Sequence, residues 1–204
     1  MKNNAPVIVI LCCMLTGGCM GKSVPPADIY TISAQWEKDR APVRDEDKDA
    51  IIIKLAPIQA SRAFNGTAIL YSKAQYDHNS YAYSRWSDAP VRLLRILFQA
   101  ALEESGRFGA VVSPTSASEA DFLIESTLFD FSHHIKGDGT SEGVVRIRFY
   151  VIDNTTKTVT ATKEFVSRVQ ASSQNAQGAA SALNKAATDV ARNLVSWLAE
   201  PGRI

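Results

Sequence analysis

The chain has 204 residues, 46% of them hydrophobic and 21% charged, with 22 Lys and Arg set against 21 Asp and Glu. These values fit one domain, exclude a wholly disordered chain, and offer no clustered basic excess with which to hold nucleic acid. The three cysteines, Cys12, Cys13 and Cys19, all precede residue 20, so the body of the protein holds neither a disulfide framework nor a cysteine zinc site.

Met1-Lys2-Asn3-Asn4 is a short basic start, residues 5–15 (APVIVILCCML) are an apolar run, and Thr16-Gly17-Gly18 leads to Cys19. A spanning helix needs about 20 apolar residues to cross ~30 Å of hydrocarbon, so this run reads instead as the centre of a secretory signal peptide. Small residues before a cysteine resemble a bacterial lipobox, in which that cysteine is acylated and becomes the mature N-terminus. Thr16 stands where the lipobox usually carries leucine, and Leu15 lies one place earlier. The alternative is an ordinary cleaved signal with an incidental cysteine. Met20, in place of the aspartate that retains lipoproteins in the inner membrane, favours the outer membrane by the same resemblance. Gly17 to Ser23 imitates a phosphate-binding loop, but Thr16 occupies the position that needs glycine. The expected division is a leader at 1–18, a lipidated N-terminus and tether at 19–28, and a folded domain at 29–200. Loss of the leader removes Lys2 and leaves the body formally neutral, so long-range charge steering is not its means of recognition.

Residues 29–33 read as a first strand, and residues 37–49 as a charged, solvated loop. Residues 50–59 (AIIIKLAPIQ) form a β-branched run expected as a buried strand, with an edge or bulge at Pro57. Asn65-Gly66 marks a turn. Residues 68–76 and 80–86 follow as two strands of a hairpin through Asp77-His78-Asn79. Ser87-Asp88-Ala89-Pro90 signals a helix start, after which Val91, Leu94, Leu97, Phe98, Ala101 and Leu102 recur at helical spacing up to Gly106. Strands are then expected at 108–112, 121–131, 143–153 and 158–169. In the third of these Val145, Ile147, Phe149 and Val151 share one face. A loop at 171–178 precedes a last helix with Leu183, Ala187, Val190, Leu194, Trp197 and Leu198 on one stripe. The order ββββ-α-ββββ-α predicts a single α+β domain: a mainly antiparallel sheet with both helices packed on one face.

No catalytic motif stands out. There is no G-x-S-x-G elbow and no H-E-x-x-H helix, and the reading is of a non-enzyme without cofactor or metal. Adjacent His133 and His134 point to opposite faces if they lie on a strand and then cannot share a metal; a loop would bring them together with Asp130 or Asp138 nearby, the alternative to the preferred reading of a solvated loop pair. The aromatic residues of the hairpin are more informative. Tyr71, Tyr81, Tyr83 and Arg85 form a candidate partner interface, since Tyr, Trp and Arg anchor many protein contacts. Cross-strand packing beneath the first helix accounts for the same residues. In a regular strand Tyr81, Tyr83 and Arg85 share one face and Trp86 takes the other.

Cys19, Tyr30-Thr31-Ile32, Ile53-Lys54-Leu55-Ala56-Pro57, Leu70-Tyr71, Tyr81 through Trp86, Pro90 and Gly106-Arg107-Phe108 together resemble the ABC-type transport auxiliary lipoproteins, a family with PqiC-like intermembrane transport members. This chain has Tyr71-Ser72 where the family often has Tyr-Arg. The resemblance implies a non-catalytic periplasmic lipoprotein, held on the outer membrane by acyl chains on Cys19. It further implies docking onto an MCE-domain protein of a lipid or solute transport system driven by a separate ATPase, and a homo-oligomer of ring form. The competing class is an envelope-assembly scaffold that uses the same anchor outside transport.

Overall fold

Long alternating segments and short interrupted ones divide the labour in this fold. A computed structural model describes residues 25–33 and 51–204; the expected leader, Cys19 and the charged run at 37–49 lie outside the described residues. In chain order these residues form β1 (Asp28–Tyr30), β2 (Ile52–Leu55), β3 (Gln59–Ala60), a 3-10 turn (Arg62–Phe64), β4 (Ala68–Ser72) and β5 (Asn79–Trp86). Helix α1 (Pro90–Glu104), β6 (Ala110–Val112), β7 (Phe122–Ile135), β8 (Ser141–Asp153), β9 (Thr158–Gln170) and helix α2 (Ala176–Leu198) follow. No helix among them is long and apolar enough to cross a membrane.

Strands β7, β8 and β9 make an antiparallel meander, and β7 organises the remainder. Its second edge is shared end to end by three short strands, all parallel to it: Ile53 lies opposite Phe122, Gln59 opposite Thr127, and Tyr71 opposite His133. Beyond them β6 runs parallel to β2, β5 antiparallel to β4, and β1 parallel to β5. The sheet is therefore mixed, which corrects the expectation of a mainly antiparallel one. The cause lies between residues 56 and 67. Pro57 ends β2, because it has no N–H to give a ladder, and the 3-10 turn with Asn65-Gly66 ends β3. Neither break reverses the chain, so β2, β3 and β4 all travel along β7 in one direction. The single strand expected at 50–59 is thus two strands, and the turn at Asn65-Gly66 does not reverse the chain.

Both helices cover the face that carries Val145, Ile147, Phe149 and Val151, all buried. Phe98 of α1 meets Phe149 at 5.3 Å between ring centroids, Phe149 meets Phe165 at 5.9 Å, and Phe165 meets Trp197 of α2 at 5.9 Å. These edge-on contacts tie both helices to β8 and β9, and each contributes about 0.5–1.5 kcal/mol beyond burial. Every apolar residue expected on the two helical stripes is buried. The first helix starts at the expected proline, and the second starts earlier than expected. α1 begins at Pro90 with no side-chain cap, since Asp88 accepts from the Ala89 N–H and binds Arg92 instead. α2 begins at Ala176, inside the expected loop, because Asn175 accepts from the Gly178 N–H at 2.9 Å and caps it.

Gly143 of β8 sets how closely α2 approaches. A Cβ there would lie 2.7 Å from the Leu183 nitrogen and 2.9 Å from the Ala182 Cβ. The same glycine stands opposite His133, so a residue without a side chain makes room where the helix crosses the sheet.

Candidate functional site

A β-bulge in β7 determines which of its side chains turn inward. Leu128 pairs with Ile147 but Asp130 pairs with Arg146, so Phe129 is an extra residue. Insertion of one residue reverses the facing of everything after it. Ile124, Ser126 and Leu128 are buried before the bulge, and Phe131 and His133 after it. Two phenylalanines that regular alternation would place on one face consequently differ sharply: Phe129 is 41% exposed and Phe131 1%. The sequence carries a trace of this shift, since the inward series changes spacing from two residues to three between Leu128 and Phe131.

His133 is fully buried within a strand, which corrects the reading of a solvated loop pair. Its Nδ1 lies 2.7 Å from the Tyr81 hydroxyl, and that hydroxyl lies 3.2 Å from the Gln174 carbonyl oxygen. One phenolic proton serves one acceptor. The arrangement that uses both contacts has His133 Nδ1–H donating to Tyr81 and Tyr81 donating to Gln174. His133 Nε2 is then a lone pair, buried with no partner among the described residues. Burial first, and the neighbouring His134 second, hold His133 below the ordinary histidine range. Burial and the adjacent Tyr71 push the Tyr81 hydroxyl up to about 12. The Tyr71 and Tyr81 rings lie 4.8 Å apart. Two of the four candidate interface residues therefore belong to an internal cluster that joins β4, β5, β7 and the loop before α2.

The other two stand apart from it. Tyr83 is 54% exposed and Arg85 is exposed, with Ile29 of edge strand β1 opposite Arg85 in register and exposed as well. Tyr81 and Tyr83 do not behave as one regular face, because the β4–β5 register shifts between Ala68 and Leu70. Trp86 is buried against Phe131, as alternation from Arg85 requires.

On the far side of β7, Asp130, Ser132 and His134 come together at alternate positions. The Ser132 hydroxyl donates to Asp130 Oδ1, while His134 Nε2 lies 2.9 Å from Asp130 Oδ2 and 3.1 Å from Ser132 Oγ. The residue types imitate a nucleophilic triad, but the connectivity is different. A relay uses one ring nitrogen for the hydroxyl and the other for the carboxylate, whereas both contacts here fall on one nitrogen and the serine proton goes to the carboxylate. The three groups satisfy one another. Among the described residues no three His, Cys, Asp or Glu side chains are placed to hold a metal ion.

Outward of the bulge, Arg146 and Arg148 lie over the Phe129 ring at 5.3 and 5.1 Å. Both guanidinium groups also bind Glu164 of β9 at 2.7 Å. The Glu164 carboxyl is held below its usual range by the Arg146 hydrogen bond, with Arg148 reinforcing it.

The profile described as the ABC-type transport auxiliary lipoprotein component matches residues 30–195. The chain belongs to that family. Solved structures share the architecture seen here. Protein XCC0632 from Xanthomonas campestris superposes with a TM-score of 0.74 at 19% identity, over 84% of this chain and 94% of that one. An uncharacterized protein superposes with a TM-score of 0.66 at 11% identity, over 86% of this chain and 100% of that one. At these identities the likeness is one of fold. No curated protein matches the chain.

Proposed function

We propose that the protein is a non-catalytic, outer-membrane-anchored auxiliary component of an ABC- and MCE-type system that moves lipid or another solute between the inner and outer membranes. The family match across residues 30–195 carries this reading. Residues 1–18 act as a cleaved leader, and acylated Cys19 becomes the anchor. Each buried acyl CH₂ contributes about 0.8 kcal/mol, so several chains on one residue hold a protein without a spanning helix. Residues 19–28 reach at most about 35 Å when extended, which keeps the domain at 29–200 close to the bilayer on its periplasmic face.

In this reading the sheet supplies a docking surface for an MCE-domain protein, and Tyr83 and Arg85 are the candidate contact residues because, of the four candidates, they are the two that are exposed. Tyr71 and Tyr81 support that hairpin from within. The energy comes from a separate ATPase. A homo-oligomer of ring form also belongs to the reading. The Ser132 hydroxyl, committed to Asp130 rather than to an imidazole, supports a role without catalysis.

Globomycin treatment and Cys19→Ala test the anchor. The expected result is an unprocessed precursor with the drug and loss of the acyl chains in the variant. Unchanged processing and unchanged membrane fractionation in both would overturn it.

A further inference from the structure

Among the described residues the antiparallel meander ends in an open edge. β9 pairs with β8 and with no other described strand, so along Thr158–Gln170 one set of backbone N–H and C=O groups faces outward. Long edges of this kind are templates for another strand unless proline, charge or a bulge blunts them. β9 contains neither proline nor glycine. Its one irregularity, the extra residue Thr160, lies near its start and leaves the following ten residues, Ala161 to Gln170, in regular register with β8. Lys163 does not guard the edge, because its Nζ is folded over the Phe165 and Trp197 rings at 5.2 and 5.9 Å. Two exposed valines lie on this strand, Val159 at 57% and Val166 at 50%.

We propose that β9 pairs antiparallel with β9 of a second copy of this chain, with Val166 on the two-fold axis. A pair centred on Val166 uses Thr162 to Gln170, nine of the ten regular residues, and the choice of this centre rests on the charges it brings together. Glu164 of each copy then stands opposite Arg168 of the other, twice over by symmetry, and the two Val166 side chains meet. Centring the pair on Lys163, Glu164 or Arg168 instead sets like charges opposite one another, which destabilises a cross-strand pair. The contact is isologous and closes at two copies; a ring requires a second contact between such pairs. Nothing in this inference depends on acylation of Cys19 or on the identity of a transport partner.

Directly opposite residues of antiparallel strands have Cα atoms about 4.5–5.5 Å apart, within the range a disulfide spans. Val166→Cys in the full chain, oxidised in its native membrane with copper phenanthroline, is therefore expected to give a dimer band on a non-reducing gel. Wild type and Val159→Cys, equally exposed but outside the paired segment, serve as references and give several-fold less. Adding Arg168→Glu to Val166→Cys lowers the dimer yield by about threefold or more, since two attractive pairs become repulsive. A Val166→Cys yield no higher than that of Val159→Cys overturns the proposal. So does an adduct formed solely with a different protein, which would assign the edge to a partner's strand.

Discussion

The Tyr81 hydroxyl and His133 Nδ1 stand 2.7 Å apart, and the same hydroxyl reaches the Gln174 carbonyl at 3.2 Å. One side chain thereby links the hairpin, the central strand β7 and the segment that caps α2. Tyr81→Phe keeps the ring beside Tyr71 and removes the oxygen, leaving His133 Nδ1 buried without a partner. The expected loss is about 1–3 kcal/mol, measured as a shift in the urea midpoint with an unchanged slope.

Acid should act through His133. In the folded state burial and His134 lower its affinity for a proton, while the unfolded chain takes one up near pH 6.5. The unfolded state binds more protons in that window, so stability is full above about pH 6.5 and declines as the pH falls toward the lowered folded value. Denaturation profiles of wild type and His133→Phe, compared between about pH 7.5 and about pH 5, should show a shallower slope in the variant. Equal slopes would mean that His133 does not supply the difference.

Gly143→Ala tests the close approach of α2 to the sheet. Its new methyl group would fall 2.7–2.9 Å from the backbone of α2 and the Ala182 side chain, where no flexible tip yields. Helix displacement costs about 1–3 kcal/mol, as other overpacked cores do, and thermal unfolding should register it.

The bulge predicts opposite outcomes for neighbouring residues. Phe131→Ala removes a buried ring that packs on Trp86 at 5.4 Å and should cost about 3–5 kcal/mol. Phe129→Ala removes an exposed ring beneath two arginines, and its loss should stay near 0.5 kcal/mol, as for most surface sites. Comparable losses at the two positions would contradict the register described.

Regular periodicity made much of this fold legible in the sequence. The stripes on α1 and α2 and the alternation from Val145 to Val151 were all readable, because one buried face imposes one period. What escaped was strand direction at β2, β3 and β4, where Pro57 and Asn65-Gly66 interrupt the chain without reversing it. Hydrophobic pattern reports burial and carries no sign of parallel or antiparallel pairing. The inward turn of His133 escaped as well, since it depends on the single extra residue Phe129. At the candidate interface, the aromatic cluster of the hairpin was visible but its division was not. A shift in the β4–β5 register puts Tyr81 against His133 and leaves Tyr83 exposed.

The most direct measurement is affinity capture of the full lipidated chain from envelope extract, with the bound proteins identified by mass spectrometry and the capture repeated for Tyr83→Ala and Arg85→Ala. The account predicts co-purification of an MCE-domain protein, reduced by either substitution. Capture of an envelope-assembly complex with no MCE-domain protein, unaffected by Tyr83→Ala and Arg85→Ala, would contradict it.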